Sequence, residues 1–155
     1  MGQDSFEYGG ARVLVELHER RLREFLDVWR EAEDRQLELP PTSDPNYESR
    51  EVLLAHVLGA AARYLVWICE QLEVVPPPEI DPNPEPDGLA ARADQVLEQT
   101  LAAWRDPLKG LTEERAYAPV HESRWGPSYC IDAMLEHAVM HPIRHAHQLR
   151  QLIKG

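Results

Sequence analysis

Four of the chain's seven histidines, His137, His141, His145 and His147, fall within the stretch HAVMHPIRHAHQL. Two histidines four residues apart on a helix share one face, about 6 Å apart along the axis, so both imidazoles can reach a single ion at about 2.1 Å. His137, His141 and His145 supply two such pairs in series. The outer two stand about 12 Å apart along the axis, so one pair ligates and the remaining histidine has another task. His147 lies about 200° around the helix from His145 and is expected on the surface.

Two histidines do not fill a coordination shell, and the missing donor must come from another helix. His56 in LLAHVLGAA is the candidate, because a lone ionisable group in so apolar a run needs a partner or a task. The competing reading of His56 is a satisfied core histidine. Three imidazoles on one divalent cation would leave a position for water, and such an ion acidifies a bound water or thiol and polarises a substrate. Imidazole suits zinc, nickel, iron and copper alike, of which zinc and nickel are the expectation.

Helices must bring these side chains together, and the sequence is punctuated accordingly. From Arg12 to about Glu33, Leu14, Leu17, Leu22, Phe25, Leu26 and Trp29 recur mostly at three- and four-residue steps, which predicts an amphipathic first helix. LPPTSDPNYES interrupts it with three prolines and offers Asp44, Asn46 and Ser49 as caps for the next helix. That second helix is expected from about Ser49 to Leu72. Its run VLLAHVLGAAARYLVWI is apolar on most sides, so it should be the most buried. VVPPPEIDPNPEPDG, with six prolines in fifteen residues, reads as an extended connector able to cross the length of a bundle. After Gly88, LAARADQVLEQTLAAWRD predicts a third helix that stops near Pro107. Residues 108–127 read as irregular, and the fourth helix is expected from near Ser128 to the end. The fold class is therefore all-α, a four-helix bundle with a long proline-rich crossover between helices two and three.

The helix-two histidine in LLAHVLGAAARYL, followed by a Trp-Gly turn leading into MLEHAVMHPIRHAHQL, resembles the DinB/YfiT-like superfamily of metal-dependent enzymes. The resemblance in helix order, loop placement and histidine positions runs over nearly the whole chain; its specific part is the helix-two histidine and the C-terminal HxxxH. It implies that His56, His141 and His145 are the metal ligands and that His137 occupies an upstream position where related sequences often carry histidine. Gln148 matches the glutamine of the usual HxGQ ending, with His147 in place of its glycine. Pro142 is a second departure, because proline removes a backbone hydrogen bond and can kink the helix between His141 and His145. The kink could swing His141 toward His56 or spoil the site, which keeps a metal-free bundle among the alternatives. The resemblance further implies hydrolysis, or S-transfer with a low-molecular-weight thiol such as bacillithiol or mycothiol, acting on a small-molecule substrate in a homodimer. The alternative is a non-catalytic metal-binding or stress-associated dimer. No distinct catalytic acid or base stands out.

Length and charge narrow the classes further. A chain of 155 residues reads as a single domain over 1–155, and its net charge of −11 argues against nucleic acid and anionic lipid surfaces. MGQDSFEYGG reads as a disordered leader over residues 1–10, and no stretch approaches roughly 18 uncharged apolar residues, Arg63 interrupting the best candidate. Cys69 and Cys130 fit reduced thiols in a cytoplasm. Among weaker candidates, His18 falls on the inward side of helix one, and His121 sits in a loop near the expected mouth. Trp125 and Tyr129 can wall the pocket, while Asp132 or Glu136 can accept a hydrogen bond from a ligating imidazole.

Overall fold

Helix α1 (Gly9–Asp34) buries Ala11, Val15, His18, Leu22, Phe25, Trp29 and Ala32, a stripe spaced at three and four residues. The computed structural model describes residues 5–155. Of the leader expected over residues 1–10, residues 1–4 lie outside the described residues. The rest is built into the fold: Phe6 and Tyr8 pack against the core, the Glu7 amide donates to the Lys109 carbonyl, and α1 already begins at Gly9.

Helix α2 (Arg50–Leu72) starts at Ser49, whose hydroxyl accepts the Val52 amide at 3.1 Å and so satisfies one orphan donor of the first turn. It ends where Glu73 turns left-handed (φ 58°) and the Val74 amide returns to the Cys69 carbonyl. Fourteen of its residues are buried, as its nearly all-round apolarity predicts. By length and composition α2 could cross a membrane, against the expectation that no stretch comes close, but 78% of its most apolar window is buried within the protein. That apolar surface is therefore consumed by packing in the folded chain.

The proline-rich crossover lies across α2 at Gly59. A Cβ there would stand 2.9 Å from both the Pro82 carbonyl oxygen and Pro84 Cδ, so only glycine admits the connector this closely. Arg63, one turn on, donates to the Pro82 carbonyl at 2.5 Å and to the His56 carbonyl. The charge that interrupts the apolar run thus fastens the connector. Gly88, left-handed at φ 73°, then leads into α3 (Leu89–Ala103).

Residues 108–127 are less irregular than their composition suggests. A short helix α4 (Glu113–Tyr117), capped by Thr112, precedes a two-residue hairpin in which β1 (His121–Glu122) pairs antiparallel with β2 (Ser128–Tyr129). Helix α5 (Ile131–Lys154) consequently starts later than the expected Ser128, at a cap where Cys130 Sγ accepts the Ala133 amide. It continues through Pro142 without interruption. The four long helices pack on one another, α5 along α1 and α2, and α3 on α2 and α1.

Their interior divides into two apolar clusters, one around Phe25, Trp29, Leu54 and Leu149, the other around Tyr64, Trp67, Trp104 and Met134. Along α2 and α5 the junction between them falls at the histidines. Ala55 and Ala146 belong to the first cluster, Ala60 and Ala138 to the second.

Candidate metal centre

His56 projects from the second turn of α2, and His141 and His145 from successive turns of α5. Their ring centroids lie 4.8 Å (His56 to His141), 5.1 Å (His56 to His145) and 4.6 Å (His141 to His145) apart. Nε2 of His56 and Nε2 of His141 face each other at 3.0 Å, and one ligand nitrogen from each of the three rings fits within 4.8 Å of the others. Two nitrogens bound to one ion at about 2.1 Å stand at most about 4.2 Å apart. The three are therefore close enough to hold a metal ion with only a small adjustment of the widest pair.

The electrostatics suit a cation that needs neutral ligands. Burial, then the neighbouring His145 and His56, pushes His141 down to about 2, and burial, then His56 and Arg144, pushes His145 down to about 4. His56 is lowered too, first by burial and then by Arg63. At neutral pH all three imidazoles are unprotonated and offer lone pairs.

The trio lies in the wall of a pocket of about 420 Å³ that Tyr47, Tyr64, Trp125, His137 and Arg144 also line. His137 does not join the trio. It stacks on Trp125 (centroids 5.4 Å apart, 30° between planes) and meets Tyr64 and Tyr129 edge-on, which makes it part of an aromatic wall. Trp125 remains 47% exposed at the rim, so the pocket opens to solvent. Pro142 does not carry His141 away from His145, because the helix persists across it and both rings reach the same point.

Tyr47, which sequence patterns did not single out, is the contact that orients His145. It sits in a 3-10 turn (Pro45–Tyr47) capped by Asp44, and its hydroxyl lies 2.6 Å from His145 Nδ1 while also reaching Gln148 Oε1. Burial, then the Asp44 carboxylate, raises its phenol to about 12, so it keeps its proton. Arg144 and Tyr64 were missed as well, although spacing carried a signal for both. Tyr64 stands eight residues after His56, and Arg144 seven after His137, each about two helical turns along the same face.

The other candidates lie elsewhere. Asp132 accepts from the Tyr8 hydroxyl at 2.9 Å instead of from a ligating imidazole, and Glu136 is exposed. His121 takes a hydrogen bond from Arg115 and abuts Trp67 outside this pocket. His147 is exposed, as expected. His18 is buried against Trp104, and neither ring nitrogen has a hydrogen-bond partner among the described residues. Both cysteines are free, and burial raises the Cys69 thiol to about 11, far from a reactive thiolate. No family model matches the chain, and neither a curated protein nor a solved structure does.

Proposed function

We propose that the pocket is the centre of a metal-dependent enzyme, with His56, His141 and His145 holding a divalent cation, zinc or nickel, for hydrolysis of a small molecule or its S-transfer with a low-molecular-weight thiol. The observation that carries this reading is the convergence of three neutral imidazoles from α2 and α5 on one point in the wall of an open pocket. The order of long helices, the proline-rich crossover and the histidine positions further support the DinB/YfiT-like arrangement.

When bound, the cation supplies Lewis acidity, which polarises a substrate and lowers the pKa of a water or thiol nucleophile. The chain supplies the rest. Burial disfavours the charged form of all three imidazoles, so no imidazolium proton has to be removed before they ligate. Tyr47 and Gln148 fix the rotation of His145. Tyr64, Trp125 and His137 form an aromatic wall, with Trp125 stacked on His137 and Tyr64 edge-on to both, against which the body of a substrate can pack. The exposed rim at Trp125 favours catalysis over a structural ion, because structural shells are closed by protein ligands.

Metal analysis of the purified wild-type protein beside His56→Ala and His145→Ala tests the site, with circular dichroism to verify the helical fold. The expected result is a stoichiometric divalent ion in the wild type that both variants lose. Equal metal content in all three proteins would eliminate the shared site. Assays of the loaded wild type on ester and electrophile panels, with and without cysteine as the thiol, then separate hydrolysis from S-transfer.

A further inference from the structure

Arg144 lines the pocket and makes no hydrogen bond or ion pair among the described residues. Its isolation is unusual in this protein. The two arginines of the adjoining hollow, of about 310 Å³, are both engaged: Arg63 holds the Pro82 and His56 carbonyls, and Arg124 pairs with Glu70. Most arginines elsewhere also bind carboxylates, as Arg23 does Glu98, Arg50 does Glu33 and Arg105 does Glu19. In a chain with net charge −11, carboxylates are abundant, yet none meets this guanidinium.

Its position explains what it faces. Arg144 comes three residues after His141 and seven after His137, so it shares their side of α5. Its charge is felt at four rings of the pocket, depressing His137, His141 and His145 and opposing the rise of Tyr64. A planar fork of five donors matches a carboxylate in two parallel hydrogen bonds. Beside it stand the rings of Tyr64 and Trp125, set edge-to-face at 70°, and the space of about 420 Å³ suits a small molecule. Asp44, on the same pocket, repels ligands of high negative charge and so favours a monoanion over phosphate.

The geometry points to a small organic monoanion as the substrate class, its carboxylate held by Arg144 and its planar or apolar body laid on Tyr64 and Trp125. This rests on the reading of the pocket as a catalytic centre. It adds a binding subsite beside the three imidazoles, one that places the remainder of the molecule toward them.

The test is an NMR titration of the full-length, metal-free protein with benzoate, with its uncharged counterpart benzamide, and with inorganic phosphate. Wild type is compared with Arg144→Gln, Arg144→Lys and Arg20→Gln, the last removing an exposed arginine of α1 that lines none of these pockets. Wild type should bind benzoate at least about tenfold more tightly than either other probe, the discrimination a charge-assisted pair provides. Arg144→Gln should abolish that preference, Arg144→Lys should retain part of it, and Arg20→Gln should leave it intact. The proposal is overturned if wild type binds no probe or binds benzoate and benzamide alike. It also fails if phosphate competes equally, if Arg144→Gln keeps the preference, or if Arg20→Gln removes it. Arg144 is exposed, so its replacement disturbs no core packing, and Arg144→Lys provides a second folded variant. Because the titration uses metal-free protein, a failure of metal binding at the histidines leaves its outcome readable.

Discussion

The hydroxyl of Tyr47 lies 2.6 Å from Nδ1 of His145 and bonds at the same time to Oε1 of Gln148. A carboxamide oxygen only accepts, so the single phenolic proton goes to Gln148 and the Tyr47 oxygen accepts from His145 Nδ1–H. That arrangement leaves the lone pair of His145 on Nε2. A residue from the loop before α2 thereby selects the tautomer of a histidine on α5.

Removing this contact should weaken metal binding without removing the metal ligands. Tyr47→Phe is expected to lower zinc affinity by about 10- to 100-fold, the range seen when the partner of a ligating histidine is lost. Gln148→Ala should have a smaller effect of the same sign, because Tyr47 then becomes free to donate to Nδ1 and favour the wrong tautomer. Competition titration against a chelating dye measures both; wild-type affinity in Tyr47→Phe would remove Tyr47 from this role.

His141 and His147 belong to the same helix but should respond oppositely to truncation. His141→Ala removes a nitrogen that faces His56 at 3.0 Å and should abolish stoichiometric zinc, whereas His147→Ala, at an exposed position, should leave zinc affinity within about twofold of wild type. Isothermal titration of the two variants decides this. Metal loss in His147→Ala would mean that the ligand set was misidentified.

Acid should destabilise the fold through His18. Burial holds its imidazole at about 3, below the ordinary 6.5. Above pH 6.5 neither the folded nor the unfolded chain protonates it. Between 6.5 and 3 only the unfolded chain does, so its contribution to stability is complete above 6.5 and is lost progressively as pH falls toward 3. His18→Leu should remove up to about 1.4 kcal/mol per pH unit of that slope. It should also raise stability at neutral pH by about 1–3 kcal/mol, since it eliminates two buried nitrogens without protein partners. Urea unfolding of both proteins at pH 7.5 and 5 gives the comparison, and parallel pH dependence would refute the assignment.

Gly59→Ala tests the seating of the crossover. The added methyl would meet the Pro82 carbonyl and Pro84 at 2.9 Å, and the connector must lift to admit it. Overpacking of this kind costs about 1–3 kcal/mol, partly offset by about 1 kcal/mol from the better helix propensity of alanine. A net loss of up to about 2 kcal/mol in urea unfolding is expected; a net gain would show that the connector is loosely held.

The sequence by itself determined the helices and the three histidines. Apolar residues at three- and four-residue steps specify α1 and α5 through the period of the helix, and prolines at 40, 41, 45 and 76–78 mark where helices cannot continue. His141 and His145 are near neighbours because four residues make about one turn, a relation that is local and therefore legible. Tertiary structure decided what depends on distant segments meeting. Tyr47 reaches His145 across 98 residues of chain, and Tyr8 claims Asp132, one of two candidate acceptors for a ligating imidazole, across 124. Phe6 and Tyr8 read as leader because their polar, glycine-rich neighbours have no periodicity; packing on the core orders them. The short hairpin at His121–Tyr129 has too few residues to show alternation. In each case the deciding energy comes from packing and hydrogen bonds between segments whose separation in sequence carries no periodic signal.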